Sequence, residues 1–172
     1  KETIEKAIEA ASKRCQRVFN GEFKITTKEG NNNPITDADN ASEKDIFEIS
    51  KHDFHGHFSI SEEAGEFRTD SEYKRIIDPI DGTINFANGI PICCVSIGLE
   101  YKGTMLMGAV YNPIMNEFFF AEKGKGSTLN GNKISVSNKP EVLRSCLVTG
   151  FPYTYLDQPN CPLQVFERLI RK

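Results

Sequence analysis

The stretch of sequence that decides the fold is IIDPIDGTINF, residues 76–86. The two isoleucines that lead into it are typical of the end of a buried strand. Pro79 cannot donate to a strand ladder or continue inside a helix, so the chain is predicted to turn between Asp78 and Asp81. The stretch therefore places two carboxylates three residues apart at the end of a strand.

Gly-Thr follows the second carboxylate at once. Gly82 permits an unusual backbone conformation or a close approach to a ligand, and a helix can open at Thr83. The free N–H groups at such a helix start attract anions. One short segment thus offers oxygen ligands for a hard cation and backbone amides for a phosphate. The alternative reading of the same residues is an Asx-type turn that caps a helix and binds nothing.

These residues resemble the signature of the inositol monophosphatase family of metal-dependent, lithium-sensitive phosphatases. That signature is an apolar residue, then D-P-[I/L]-D-G-[S/T], two variable residues and an aromatic residue. Residues 77–86 match each specified position. Such a match is a hypothesis that the structural context has to support.

Other segments resemble the family in the same order along the chain. ISEE at 60–63 is similar to its I-G-E-E element, with Ser61 in place of glycine, and PITDAD at 34–39 is similar to its V-T-x-x-D element. VSIG at 95–98 is similar to a family strand, and residues 122–131 are similar to its G-x-G-x-x-x-N-G hairpin. The resemblance therefore covers nearly all 172 residues.

One family element has no counterpart. The family's second half supplies a W-D-x-A segment whose aspartate binds metal, but this sequence contains no tryptophan, and Asp157 is its only aspartate after Asp81. The chain also begins without methionine. We therefore interpret residues 1–172 as the N-terminal metal- and phosphate-binding domain of a longer enzyme whose C-terminal half is absent, and we expect this chain alone to be inactive.

Composition limits the other classes of function. The net charge of −3 gives no reason to expect nucleic acid or an anionic membrane as a partner. No apolar run approaches the ~20 residues of a membrane span, and residues 1–20 do not have the pattern of a signal peptide. The five cysteines are odd in number and form no C-x-x-C pair, which favours free thiols and a cytoplasmic location.

Periodicity predicts the elements. Apolar residues at three- and four-residue steps predict a helix over 4–19, ended by Asn20-Gly21, and a second helix is expected over 42–50. Strands are predicted at 58–60, 76–77, 91–100, 105–110, 117–121, 134–136 and 146–149, and a last helix at 162–171. Helices followed by hairpin-linked strands indicate an α+β fold with a largely antiparallel sheet. The resemblance implies a layered α/β sandwich.

The resemblance also implies a metal site. Its ligands would be the carboxylates of Glu62, Asp78 and Asp81 and the carbonyl oxygen of Ile80. Carboxylates ~4–5 Å apart repel by roughly 3–4 kcal/mol for each pair at an effective dielectric near 20, so such a cluster requires a cation. Oxygen ligands select a hard ion, and Mg²⁺ fits best because it accepts a few carboxylates, waters and a phosphate. The complete enzyme would hold two or three ions, Asp39 lying near the outer one; from the residues alone, Asp39 is equally a helix cap.

The implied catalytic residues are Glu62, Thr83 and Asp81. Glu62 and Thr83 correspond to family residues that position and activate the attacking water, which the metal makes acidic. The amides of Gly82 and Thr83 would hold the phosphate. Lys28 corresponds to a lysine near the phosphate, and the alternative for it is an ordinary solvated side chain.

The three histidines His52, His55 and His57 raise the alternative of a zinc site, but they lie in a polar connection outside the metal elements. The neighbouring thiols Cys93 and Cys94 are expected to pack in a strand as small apolar residues.

The function implied is Mg²⁺-dependent hydrolysis of a phosphomonoester, above all inositol monophosphate, by a homodimer acting on a small phosphorylated polyol or sugar. The residues Ile84-Asn85-Phe86 after D-G-T are more similar to inositol monophosphatases than to bisphosphate nucleotidases. Fructose-1,6-bisphosphatase or 3′(2′),5′-bisphosphate nucleotidase activity remains an alternative. So does a binding or regulatory module that kept the fold without catalysis.

Overall fold

An eight-stranded sheet carries two long helices on one face. The computed structural model describes residues 1–19, 21, 25–27, 34–53, 56–150 and 162–171. The elements are α1 (Glu2–Val18), β1 (Ile25–Thr27), β2 (Pro34–Thr36), α2 (Asp37–Asp53), β3 (Phe58–Ser61), β4 (Gly65–Phe67), β5 (Tyr73–Asp81), α3 (Thr83–Ala87), β6 (Cys94–Tyr101), β7 (Thr104–Asn112), β8 (Glu117–Glu122), β9 (Gly126–Leu129), β10 (Asn132–Ile134), a 3₁₀ turn (Val142–Arg144) and α4 (Pro162–Ile170).

The strand order in the sheet is β10-β9-β8-β7-β6-β5-β3-β4. Neighbouring strands are antiparallel except β3 and β5, which run parallel. Strands β1 and β2 form a separate antiparallel pair. The predicted α+β class with a largely antiparallel sheet is confirmed. The single parallel pair matters for function because it brings the carboxyl ends of β3 and β5 to the same edge.

Helix α1 forms because its apolar residues fall on one stripe. Ile4, Ile8 and Cys15 are buried on that stripe, and oppositely charged side chains such as Lys13 and Glu9 pair on the outer face. The helix ends where the N–H of Gly21 donates to the carbonyl of Val18 at 2.9 Å, as Asn20-Gly21 predicts.

Helix α2 packs on α1 and on β5. Arg14 of α1 donates two hydrogen bonds to the carboxylate of Asp45, at 2.7 and 2.9 Å. Ile46, which is 1% exposed, points from α2 into the core. The helix thereby becomes a fixed support behind the end of β5.

The core lies between these helices and one face of the sheet, where Ile77, Val95 and Ile97 are buried. The other face is partly open, since Met105 and Ile76 are 47% and 38% exposed. Helix α4 has no buried residue. No helix in the described part of the chain is long and apolar enough to cross a membrane.

The predicted turn between the two aspartates is wrong. Strand β5 continues through them, with Asp78 opposite Ser96 and Asp81 opposite Cys94. Between these two pairs β5 has two residues, Pro79 and Ile80, whereas β6 has only Val95. The extra residue of β5 is accommodated as a β-bulge. Pro79 lies in this bulge, where its missing N–H takes no bond from the ladder. The bulge thus lies between the two carboxylates of the motif.

Other boundaries also differ. Helix α2 begins at Asp37, five residues earlier than predicted, and strand β6 begins at Cys94, three residues later. The strand predicted at 134–136 lies at Asn132–Ile134, because it pairs with β9. Residues 146–149 form no strand; Val148 there is 93% exposed and has no strand beside it within the described residues. The sequence analysis gives no strand for β1, β2 and β4, which have three residues each, whereas β9 pairs with β8 in the segment whose similarity to a family hairpin predicts it.

Candidate active site

The candidate site lies where four elements meet. Asp78 and Asp81 lie at the carboxyl end of β5, and Glu62 directly follows the parallel strand β3. The backbone N–H of Glu62 donates to the carbonyl of Ile77 at 3.2 Å, which holds Glu62 beside Asp78. Helices α2 and α3 begin at the same edge. Residues from distant parts of the sequence therefore converge on one point.

The three carboxylates act on one another. Burial, followed by the charges of Glu62 and Asp81, raises the pKa of Asp78 to about 7. A hydrogen bond with Glu62 also raises the pKa of Asp78, whereas a hydrogen bond from the backbone N–H of Ile80 lowers it. The Oδ1 atom of Asp78 is buried and makes no hydrogen bond. A buried acceptor of this kind is destabilising unless something binds it.

These features fit a divalent cation. The donors are all oxygen atoms, which suits Mg²⁺ better than a soft metal, and an ion would satisfy Oδ1 of Asp78 while removing the carboxylate repulsion. Among the residues that the structure describes, no three His, Cys, Asp or Glu side chains are already spaced as a complete metal-binding group. An ion bound here would therefore draw the carboxylates of Glu62, Asp78 and Asp81 together.

Thr83 links this carboxylate cluster to helix α2. Its hydroxyl lies 3.2 Å from Oδ1 of Asp39 and 3.0 Å from the carbonyl oxygen of Ile80. Asp39 is fully buried and is the third residue of α2, which begins at Asp37. Asp39 thus lies inside its helix, and its carboxylate is one of two acceptors within reach of the single hydroxyl proton of Thr83. The sequence alone could not reveal this contact across 44 residues.

Gly82 is required by its surroundings. It adopts φ +85°, in the left-handed region, and a Cβ atom there would lie 2.8 Å from the carbonyl oxygen of Ile92. The side-chain amide of Asn85 donates to that same carbonyl at 2.8 Å. The loop before β6 therefore packs directly on the Gly-Thr backbone, and α3 starts at Thr83 as the sequence predicts.

Two residues at the site were missed by sequence reasoning. The thiol of Cys94 donates to Oδ2 of Asp81 at 3.8 Å, and burial and the charges of Asp81 and Asp78 raise its pKa to about 12. Cys93 is buried, as expected, but Cys94 is only half-buried and borders the site. The second missed residue is Glu43, a buried acid of α2. Its only sequence signal is its position one helical turn after Asp39.

Some residues that the sequence suggests for metal or phosphate binding lie outside the described part of the chain. Lys28, His55 and Asp157 lie outside the described residues, as does the side chain of His52. The zinc alternative therefore stays untested. The ring of His57 stacks on Tyr73 at 5.1 Å, at the end of the sheet away from Asp81.

Comparison with known proteins identifies the family of this chain. A sequence profile of the inositol monophosphatase family matches residues 1–172. Inositol monophosphatase 3 of Solanum lycopersicum is 40% identical over 152 residues, which are 85% of this chain and 57% of the relative. Nus factor SuhB of Pasteurella multocida is 40% identical over 129 residues, which are 74% of this chain and 48% of the relative.

A solved structure supports the fold. The inositol monophosphatase from Anabaena (Nostoc) superposes with a TM-score of 0.86 at 34% identity, covering 99% of this chain and 62% of that one. The chain thus spans about half the length of its curated relatives. Because the signature motif lies at the end of β5 and the family profile matches the whole sequence, this chain belongs to the inositol monophosphatase family.

Proposed function

We propose that residues 1–172 form the metal- and phosphate-binding half of a Mg²⁺-dependent phosphomonoesterase that acts on inositol monophosphate or a similar small sugar phosphate. The observation that carries the proposal is the buried, unbonded Oδ1 of Asp78, beside Glu62 and Asp81. Relatives named inositol monophosphatases support the substrate class.

The cation would be held by the carboxylates of Glu62, Asp78 and Asp81 and by the carbonyl oxygen of Ile80. When bound, such ions polarise the phosphoryl oxygens, lower the pKa of a water and neutralise the leaving oxygen. Asp81 lies at the exposed end of β5 and would flank the phosphate as well as bind the ion.

Glu62 and Thr83 are proposed to orient the attacking water and to accept its proton. When the hydroxyl of Thr83 donates to Asp39, at 3.2 Å, its lone pairs are left to accept a hydrogen bond from that water. Asp39 then holds the hydroxyl in this orientation. Positioned proton acceptors of this kind contribute roughly 10²–10⁴-fold to a rate.

The phosphate is proposed to bind the backbone amides of Gly82 and Thr83. The left-handed Gly82 turns the chain from β5 into α3, so that these N–H groups lead the helix. The packing of Ile92 on Gly82 fixes that backbone. Lys28 as a further phosphate contact and Asp39 as a ligand of an outer ion remain predictions from the resemblance, as do the homodimer and the cytoplasmic location.

A second ion needs a ligand from the W-D-x-A element, which has no match between Phe86 and Lys172. Loss of the stabilisation of a leaving oxygen is worth several kcal/mol, so we expect residues 1–172 alone to turn over at least about a thousandfold more slowly than a longer product that contains them.

The test is a rate panel with Mg²⁺ on the longest protein that contains residues 1–172. Inositol-1-phosphate, fructose-1,6-bisphosphate and adenosine 3′,5′-bisphosphate are compared, and the first is expected to give the highest kcat/KM. Asp81→Asn should abolish nearly all kcat, whereas the exposed Asp70→Asn serves as the matched control. Full activity in excess EDTA, or an Asp81→Asn variant within tenfold of wild type, would refute the proposal.

A second candidate is a binding or regulatory module without catalysis, which the relatives named Nus factor SuhB favour. The same panel decides between the two. No turnover on any of the three phosphates, by a folded protein that contains the complete second half, would favour the module.

A further inference from the structure

Helix α2 carries two buried acids one turn apart. Asp39 is 0% exposed and Glu43 is 7% exposed. Asp39 contacts Thr83, and the proposed chemistry uses it. Glu43 has no part in that chemistry, yet a carboxylate is buried only where specific partners compensate for its desolvation.

The partners of Glu43 lie on both sides of the turn that carries Glu62. Its Oε1 atom accepts a short hydrogen bond from the hydroxyl of Ser61 and a second from the backbone N–H of Ala64 at 2.9 Å. Ser61 is the last residue of β3, and β4 begins at Gly65. One carboxyl oxygen of Glu43 thus holds both ends of a three-residue turn through hydrogen bonds.

Glu62 needs such support more than the other two carboxylates do. Asp78 and Asp81 lie within β5, which is paired with β6 on one side and β3 on the other, whereas Glu62 lies in the turn between β3 and β4. The backbone N–H of Glu62 donates to the carbonyl of Ile77 at 3.2 Å, which joins the start of the turn to β5. The contacts of Glu43 supply the further points that fix the turn on α2.

We propose that Glu43 is a positioning residue that orients Glu62 for metal binding, and that the hydrogen bond from Ser61 strengthens the contact between Glu43 and the Glu62 turn. This inference rests on the proposed function. A single helix then orients the site from two sides, with Asp39 holding Thr83 and Glu43 holding the Glu62 turn. The hydroxyl contact is specific to a chain with serine at position 61, since a glycine there leaves only the Ala64 amide.

The experiment measures Mn²⁺ binding by electron paramagnetic resonance on the chain at pH 8, without substrate. Outer contacts that orient metal ligands are typically worth 10–100-fold in affinity, so Glu43→Ala is expected to raise the dissociation constant at least tenfold. Glu43→Gln keeps a carbonyl acceptor, so its dissociation constant should rise less than that of Glu43→Ala. Ser61→Gly should raise the dissociation constant a few-fold. Glu48→Ala, on the exposed side of the same helix, is the matched control and should stay within twofold.

A second readout separates positioning from general stability. The backbone amides of residues 61–65 should exchange hydrogen faster in Glu43→Ala and Ser61→Gly than in wild type. The exchange rates of the amides in β6 and β7 should stay unchanged. If Glu43→Ala does not fold, Ser61→Gly carries the same test.

Three outcomes would overturn the inference. The first is a folded Glu43→Ala variant whose dissociation constant for Mn²⁺ stays within twofold of wild type. The second is exchange that quickens equally throughout the sheet. The third is the absence of Mn²⁺ binding by wild type itself, which would overturn the proposed function as well and so is distinguishable from the other two.

Discussion

Removing the charge of Asp78 is expected to stabilise the metal-free chain. Its carboxyl group has a pKa of about 7 in the fold, against an ordinary 3.8. The folded chain therefore binds this proton more tightly than the unfolded chain does. The resulting stability is complete below about pH 4 and is lost as the pH rises through about 7.

The magnitude follows from that shift. About three pKa units at 1.36 kcal/mol each would give about 4 kcal/mol. Asp78 is only half-buried, so water screens part of the interaction and about 2 kcal/mol is the reasonable expectation. Asparagine has the shape of the protonated acid but no charge. At pH 8 in EDTA, the free energy of unfolding of Asp78→Asn should therefore be about 2 kcal/mol higher than that of wild type. At pH 4 the two free energies should be nearly equal.

The assay is urea unfolding at pH 4 and pH 8, in EDTA and in Mg²⁺, with Asp70→Asn as the exposed control. Mg²⁺ should stabilise wild type at pH 8 by preferential binding to the folded state and should not stabilise Asp78→Asn. An Asp78→Asn variant that is less stable than wild type at pH 8 in EDTA would contradict the reasoning. So would equal stabilisation of both proteins by Mg²⁺.

Two further predictions concern the surroundings of the site. Gly82→Ala should lower the free energy of unfolding by at least about 1 kcal/mol more than Gly89→Ala, because both glycines have positive φ but only at Gly82 would a Cβ meet a backbone oxygen, at 2.8 Å; equal losses in urea unfolding would show that the contact is unimportant. Iodoacetamide at pH 8 should label the exposed Cys146 much faster than Cys94, whose thiol pKa is raised to about 12 by burial and by Asp81; equal rates by mass spectrometry would refute the Cys94 environment.

The sequence reveals those parts of the site that are local. The D-P-I-D-G-T run contains Asp78, Asp81 and Gly82, and the step from strand to helix can be derived from the conformational freedom of glycine. The stripe of α1 follows from its spacing. These features depend on neighbours within a few residues, so periodicity and residue type suffice to predict them.

The remaining features depend on pairing across long separations. Pro79 indicates a turn until the partner strand is known, and the register with β6 turns it into a bulge. That register also brings Cys94 to Asp81. The contact between Glu43 and Ser61 spans 18 residues and forms because α2 packs on β5, the strand that pairs with β3. No local pattern encodes these contacts.

Residues 146–149 show the reverse error. Their apolar, β-branched composition predicts a strand, yet Leu147 and Val148 are 61% and 93% exposed. A strand requires a partner with which to form its ladder, and none of the described strands lies beside this segment. Composition gives the propensity of a segment, while pairing decides its structure.

The central claim is that Glu62, Asp78 and Asp81 form a divalent-cation site. Crystals of the chain grown at pH 8 and soaked in Mn²⁺ would test it most directly, through the anomalous signal of the metal. We expect a peak at roughly 2.0–2.6 Å from carboxylate oxygens of these three residues and from the carbonyl oxygen of Ile80. A soaked crystal with no peak among them, or with metal only elsewhere on the chain, would contradict the account.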